Sequence, residues 1–404
     1  MQNRINKLPK IELHSHLEGT IKPKLALQIS MRNAVSLSNN LFNDNGDYAW
    51  SDFASFLTAY DSVSSCLRIG KDYRDITYEY LKDCASENVI YAETFISPDH
   101  AAECGISYDD MISGIAKGID DAEHDFGIVG RIIVTCVRHL GPQQGLNVVQ
   151  TMVDNPHPYI VGFGMGGDEN AFTLNDFAPV FNIAADAGYP CTVHAGELCG
   201  PESVWDAINF LPISRVGHGV KSIHDEKLLD ELVNRNIHLE ICPGSNLALS
   251  VFIDWNSHPL PTFIAKGISV SLNSDDPPFF HTSVGLEYLN SAKHMHISTK
   301  TLKSIFTKKG SLLKSGDSFF NKDFGSFLEQ FLYEDANKFY KHEVCPLFYN
   351  ALKEGGIISL KDLQEYTPKK RAPLKMRYRN HNIFMNPLPS TGGRLINGGL
   401  GELR

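Results

Sequence analysis

No stretch of this 404-residue chain reaches the roughly 18 consecutive apolar residues of a membrane helix, and its eight cysteines are dispersed with no C-x-x-C spacing. A thiolate zinc knuckle and a disulfide scaffold are both excluded. The polar N-terminal lead runs straight into a strand candidate, so we expect a reduced, cytoplasmic protein without a signal peptide. Two nucleotide signatures are missing as well: no G-x-x-x-x-G-K-[ST] and no G-x-G-x-x-G follows any predicted strand, which argues against a doubly wound nucleotide-binding sheet. The P-C-x-x-C half of the cytidine-deaminase zinc signature is absent too, so base editing of polymeric nucleic acid is disfavoured. An acidic balance, net −10, points the same way.

What is present is a set of short apolar runs that each end in polar, metal-competent residues. Ile11 to Leu17 carries His14 and His16, two apart and therefore on one face of a strand. Cys191 to His194, Ile213 to His218 and Ile268 to Asn273 end at His194, His218 and the pair Asp275-Asp276. Four further runs, 89–96, 131–137, 159–164 and 237–241, bring the strand candidates to eight, with helical stretches such as Tyr73 to Glu87 and Thr173 to Ala187 between them. Alternating strands and helices with functional groups at successive strand ends predict an α/β fold, a (β/α)8 TIM-type barrel; an open doubly wound sheet is the runner-up. The 42% hydrophobic content suffices for a large core.

Five motifs in order resemble the adenosine deaminase family of zinc hydrolases over residues 1 to about 303. They are Leu8 to Gly19, Thr192 to Glu197, Arg215 to Gly219, Cys242 to Asn246 and Leu272 to Pro277. The resemblance implies one Zn2+ per chain held by His14, His16, His194 and Asp275. It also implies Glu197 as proton donor to purine N1, His218 as the group that positions the attacking water and helps deprotonate it, and Asp276 at N7. Three imidazoles and a carboxylate suit such an ion. His16, Glu18, Gly167 and Asp276 are then expected to face the substrate, a small purine rather than a nucleic acid polymer or membrane. Two residues divide on which purine. Gly166-Gly167 stands where adenine deaminases of the superfamily carry serines and favours the nucleoside, whereas Glu18 replaces the aspartate of many adenosine deaminases and favours the free base. The expectation is deamination of adenosine and 2′-deoxyadenosine, with adenine deamination or a catalytically impaired purine-binding protein as alternatives. Phe53, Phe56 and Leu57 resemble the family's apolar lid, though residues at helical spacing are more often plain core, and they are not counted among the site residues.

The composition changes near residue 300. Residues 1–298 hold 19 Lys+Arg and 37 Asp+Glu, and residues 299–404 hold 18 and 10. Beyond about residue 304 the segments Ile305 to Gly310, Gly316 to Asn321, Asn337 to Glu343, Leu360 to Tyr366 and Pro387 to Gly393 resemble an internal stretch of γ-glutamyltransferases. In that family the Pro-Ser-Ser-Gly-Gly segment precedes the autoprocessing threonine, so Thr391 is not that nucleophile. The expected organisation is a barrel over 1–303 and a foreign α/β-like fragment without its own activity over 304–404; an unrelated helical extension is the alternative.

Overall fold

The computed structural model describes residues 2–304 and the backbone of 374–378 and 381–385. The γ-glutamyltransferase-like segments lie outside the described residues. The chain divides into two compact units, Met1–Lys314 and Ser315–Arg404. In the second unit Leu374–Tyr378 pairs antiparallel with His381–Met385.

Eight parallel strands form the first unit: β1 (Lys10–Glu12), β2 (Val89–Ile96), β3 (Val129–Val137), β4 (Ile160–Gly166), β5 (Thr192–Ala195), β6 (Arg215–His218), β7 (His238–Ile241) and β8 (Ser269–Leu272). They pair in chain order as β1-β2-β3-β4 and β5-β6-β7-β8. A Phe163–Cys191 bridge joins the two sets, and a Ser15–Asp275 bridge closes the ring. The barrel expectation holds, and its reason is visible in β3, where Ile132, Ile133, Val134 and Cys136 are all buried. Strands covered on both faces read as continuous apolar runs, and parallel strands need helical crossovers to cover them. Gly162, Gly164 and Gly167 have the letter spacing G-x-G-x-x-G but lie in β4 and just beyond it, where no helix begins.

The structure departs from the expected boundaries where hydrogen bonds are divided between neighbours. The His14–Leu17 segment is not a continuation of β1. Asp275 N–H donates to His14 O (3.1 Å) and His16 N–H to Asp275 O (3.2 Å), while Leu17 N–H donates to Phe95 O (2.9 Å). Pinned between the ends of β8 and β2, the segment turns both rings into the barrel mouth. The expected helix from Thr173 instead starts as a 3-10 turn, Leu174–Phe177, and becomes α-helical only at Ala178–Asp186, where Pro179 occupies the first turn and so forgoes no intrahelical donor. The seven described cysteines are free thiols, and no helix among the described residues is long and apolar enough to cross a membrane.

The helix after β8, Val284–His294, begins at Ser283, whose Oγ accepts from Leu286 N (3.2 Å). Its Glu287 is fully buried, accepting from Gly244 N–H (3.0 Å) and from Thr282 Oγ. Burial lifts this carboxyl from the usual 4.5 to about 8. A folded-state pKa above the unfolded one gives stability that is present at low pH and is lost as pH rises toward and through about 8. We predict that Glu287→Gln, which keeps the acceptor but cannot ionise, gains in melting temperature relative to wild type between pH 5 and pH 9. A gap constant over that range would show the carboxyl to be ionised throughout.

Candidate metal centre and active site

The side chains at the C-terminal ends of β1, β5, β6 and β8 converge on one point. His16 Nε2 lies 3.1 Å from His194 Nε2 and 3.4 Å from Asp275 Oδ1, and His14 Nε2 lies 3.6 Å from that same oxygen. His218 Nε2 is 3.8 Å from Asp275 Oδ2 and 3.6 Å from Glu197 Oε2. Candidate donor atoms of His14, His194, His218 and Asp275 all fall within 4.8 Å of one another, as do those of His16, Asp275 and Asp276. His218 and Asp275 both have left-handed backbone, φ 60° and 62°, which turns each side chain inward as its strand ends.

Orientation comes from groups behind the rings. His14 Nδ1 is 2.8 Å from Glu240 Oε2, and His194 Nδ1 is 2.9 Å from Met165 O. Both partners are acceptors, so both rings carry the proton on Nδ1 and present an Nε2 lone pair to the centre. Glu240 is held in turn by Thr192 Oγ (3.1 Å) and by Arg215 Nε (2.9 Å), whose guanidinium also reaches Glu93 (2.6 Å). This buried chain fixes the ring of His14 from below.

The electrostatics of the cluster fit a cation. Burial, reinforced by the other imidazoles, holds His14, His16 and His218 well below the usual imidazole range, so they are neutral donors. Burial also lifts Glu197 and Asp276 well above the carboxylate range, each helped by the charge of Asp275, which is itself pushed up to about 6. Buried Nε2 of His14, Oε1 of Glu197 and Oδ1 of Asp276 have no hydrogen-bond partner among the described residues. Uncompensated buried acids beside neutral imidazoles are costly, and a divalent ion resolves both problems at once.

The cavity above this centre is lined by His16, Glu18, Gly167, Glu197, His218, Asp275 and Asp276, so the sequence-derived residues face one space. Phe53, Phe56 and Leu57 of helix Phe53–Ser64 form its apolar wall with Phe280. Gly167 has φ +100°, a conformation that other residues rarely adopt, and a Cβ there would lie 3.0 Å from His139 Nδ1. At Gly19 a Cβ would lie 1.6 Å from Asp276 Oδ1, so glycine allows that carboxylate to approach the backbone.

Sequence reasoning missed the supporting residues. Glu169 accepts from the backbone N–H of Gly196, Glu197 (3.2 Å), Leu198 and Cys199 (both 2.8 Å) and from Ser203 Oγ (2.7 Å), clamping the loop that bears Glu197. Glu240 lies between buried Leu239 and Ile241 in β7, but nothing in His238–Ile241 itself names its partners. Around Glu18, the hydroxyls of Tyr60 and Tyr73 and the N–H of Ser97 each stand 3.4 Å from its carboxylate, and its burial is complete to 1%. Those partners come from three separate segments, and no local pattern links them.

Residues 9–316 match the family model described as adenosine deaminase. The chain belongs to the adenosine deaminase family. It is 44% identical over 281 residues to a protein named adenine deaminase from Agrobacterium fabrum, covering 70% of this chain and 86% of that one, and 44% identical over the same length to another from Rhizobium leguminosarum (70% and 87%). Among solved structures, an adenine deaminase from Arthrobacter aurescens superposes with a TM-score of 0.70 at 28% identity, covering 80% of this chain and 97% of that one. A Burkholderia ambifaria amidohydrolase with bound Zn does so with a TM-score of 0.70 at 25% identity, covering 81% and 90%. Residues 280–398 also match the model described as γ-glutamyltranspeptidase, overlapping the first match at 280–316.

These relatives overturn the expectation of adenosine as substrate. That expectation weighted Gly166-Gly167 above Glu18. In the structure Glu18 is packed into the cavity wall between two tyrosines, where its carboxylate takes up volume beside the cluster of His16, Glu197 and Asp276.

Because Glu240 keeps the proton of His14 on Nδ1, Glu240→Gln should weaken the affinity of the cluster for an added divalent ion, tested with zinc, by about 10- to 100-fold while the fold persists. Zinc affinity from a competing chelator, read beside circular dichroism, checks this; unchanged affinity would assign Glu240 to the Arg215 network alone.

Proposed function

We propose that the chain is a zinc-dependent adenine deaminase, converting the free base to hypoxanthine and ammonia. The observation that carries this is buried Glu18. Free adenine has an imidazole-ring N–H where the nucleoside carries ribose, and a carboxylate on the cavity wall can accept that N–H but leaves no room for the sugar. The adenine deaminases among the relatives support the same choice.

His14, His16, His194 and Asp275 would hold the ion. When bound, it supplies a nucleophile at neutral pH by lowering the pKa of a coordinated water to about 7. The protein's own groups do the rest. C6 of an aromatic ring accepts an oxygen nucleophile only as N1 gains a proton, and Glu197 is the donor in reach of the site. Burial, with the charges of Asp275 and Glu169, holds its carboxyl well above the usual range, so it carries that proton at neutral pH. Asp276, similarly raised by burial and by Asp275, faces the imidazole edge of the base and shares a proton at N7. His218 stands between Glu197 and Asp275, where it orients the nucleophile. The C–N bond at C6 then breaks as the hydroxyl proton of the added oxygen passes to the amino group, which leaves as ammonia while the C6 carbonyl forms, and the proton given up by water restores Glu197. The segment from about 304 onward we propose to be a γ-glutamyltransferase-like fragment with no activity of its own, supported by the second family match and the change of charge.

Ammonia release measured side by side should favour adenine over adenosine and 2′-deoxyadenosine, and purine binding without ammonia would reject catalysis. Glu18→Ala, which opens the wall, should raise kcat/KM for adenosine relative to adenine by about tenfold or more, some 1.4 kcal/mol. Equal losses on both would remove Glu18 from base selection. Glu197→Gln should keep its zinc and lose about 10²- to 10⁴-fold in kcat, since an amide cannot protonate N1. Retained turnover would place the proton elsewhere.

A further inference from the structure

His218 belongs to the central cluster, yet the hydrogen bonds behind it differ in kind from those behind His14 and His194. Its Nδ1 lies 3.3 Å from Nδ2 of Asn246, and Oδ1 of Asn246 lies 3.2 Å from Nε2 of His258. The other nitrogen of His258, Nδ1, accepts from the backbone N–H of Leu260 (3.2 Å), the first residue of helix Leu260–Lys266. That last bond decides the rest, because a backbone N–H can only donate. Nδ1 of His258 is an acceptor, so neutral His258 carries its proton on Nε2 and donates it to Asn246 Oδ1. The amide of Asn246 is then oriented with its NH₂ toward His218, and His218 Nδ1 becomes an acceptor. The proton of His218 is left on Nε2, facing Glu197 and Asp275. Burial pushes His258 down to about 3, which keeps it neutral as the chain of bonds requires.

We propose that Asn246 and His258 are positioning residues that lock His218 in its Nε2–H tautomer, so that His218 presents a donor to the metal centre while His14 and His194 present lone pairs. Neither residue lines the substrate cavity, and both are buried, Asn246 completely and His258 to 3%. The geometry thereby separates rings that distance alone does not, since donor atoms of His218, His14, His194 and Asp275 all lie within 4.8 Å of one another. His218 is a hydrogen-bond donor to the attacking oxygen and takes neither a metal bond nor, in this tautomer, a proton at Nε2. A donor role thus replaces the base role that the family resemblance implies. The consequence for turnover rests on the deaminase reading; the tautomer itself does not.

The test is the tautomer of His218 in full-length protein with ¹⁵N-labelled histidine, metal-free and zinc-loaded, read from long-range ¹H–¹⁵N correlations and assigned through His218→Asn. The expected pattern is a protonated Nε2 and an unprotonated, hydrogen-bonded Nδ1 in both states. Asn246→Asp should invert it, because a carboxylate accepts only and draws the proton to Nδ1. With the pattern inverted, kcat on adenine should fall by about 10²-fold or more with KM within a few-fold. In the otherwise wild-type protein His258→Gln, whose amide can still donate to Asn246, should retain the wild-type pattern, whereas His258→Phe should not. A proton on Nδ1 of His218 in the wild-type protein overturns the proposal without any variant, as does an Asn246→Asp spectrum that is folded and unchanged. Because the metal-free spectrum contains no substrate, an error in the choice of adenine leaves it untouched.

Discussion

Three buried acids stand against four neutral imidazoles at one end of the barrel, and most of the surrounding structure serves to hold that arrangement. Glu197, Asp275 and Asp276 are buried to within 7% of their surface, and among the described residues none of the three is paired with an arginine or lysine. Cationic side chains are instead kept one layer back. Arg215 is paired with Glu93 and Glu240 one layer behind His14, and Glu240 presents an acceptor to the His14 ring. A lysine or arginine placed directly against Asp275 would satisfy the carboxylates and leave no demand for a metal. Asp275, without a cationic partner among the described residues, and the neutral imidazoles around it form a donor set that suits a divalent ion.

The same separation runs through the backbone. Left-handed conformations at His218 and Asp275 and the glycine at 167 all fall at strand ends, where the chain leaves the sheet and its hydrogen-bonding constraints relax. Strain of this type costs on the order of 1–3 kcal/mol per residue and persists only where surrounding contacts over-determine it. Glu169, taking four backbone donors from the loop after β5 and the Ser203 hydroxyl from the helix that follows, holds left-handed Gly196 in this way, and Glu12 does the same for the approach to Asp275. The latter accepts from Ser274 Oγ (2.5 Å) and Ser274 N–H (3.1 Å), anchoring the residue just before Asp275 to the residue two before His14. Ligands from opposite ends of the sequence are thus tied together by a side chain that touches neither metal nor substrate.

What was legible in the sequence followed from locality. His14 and His16, His194 with Glu197, His218, and Asp275-Asp276 could be found because each sits at the end of its own apolar run, and the barrel brings such ends together. Glu240, Glu169, Asn246 and His258 could not be assigned roles, because their partners lie on other strands and loops and their spacing carries no periodic signal. The substrate was misread for a related reason. Gly167 is a local feature with a visible backbone demand, whereas the meaning of Glu18 depends on Tyr60, Tyr73 and Ser97, which converge on it only in the folded barrel. A longer acidic side chain in a motif reads as a conservative change until its walls are known.

The junction with the second family match shows the limit of pattern from the opposite side. Two family models claim residues 280–316, and composition alone changes near 300. The packing up to residue 304 assigns that stretch to the barrel. Phe280 forms part of the cavity wall, Glu287 accepts the N–H of Gly244 at the start of the helix that carries Asn246, and Tyr288 is completely buried. Glu87 reaches from the helix before β2 to Gly285 N–H (2.7 Å) and Ser283 Oγ (2.6 Å), pinning the start of the same helix. Helix Val284–His294 therefore supports the loop after β7 from behind, and with it the amide that faces His218. Whatever the origin of the sequence that follows, the barrel keeps a helix beyond β8 that packs against the segment carrying Asn246.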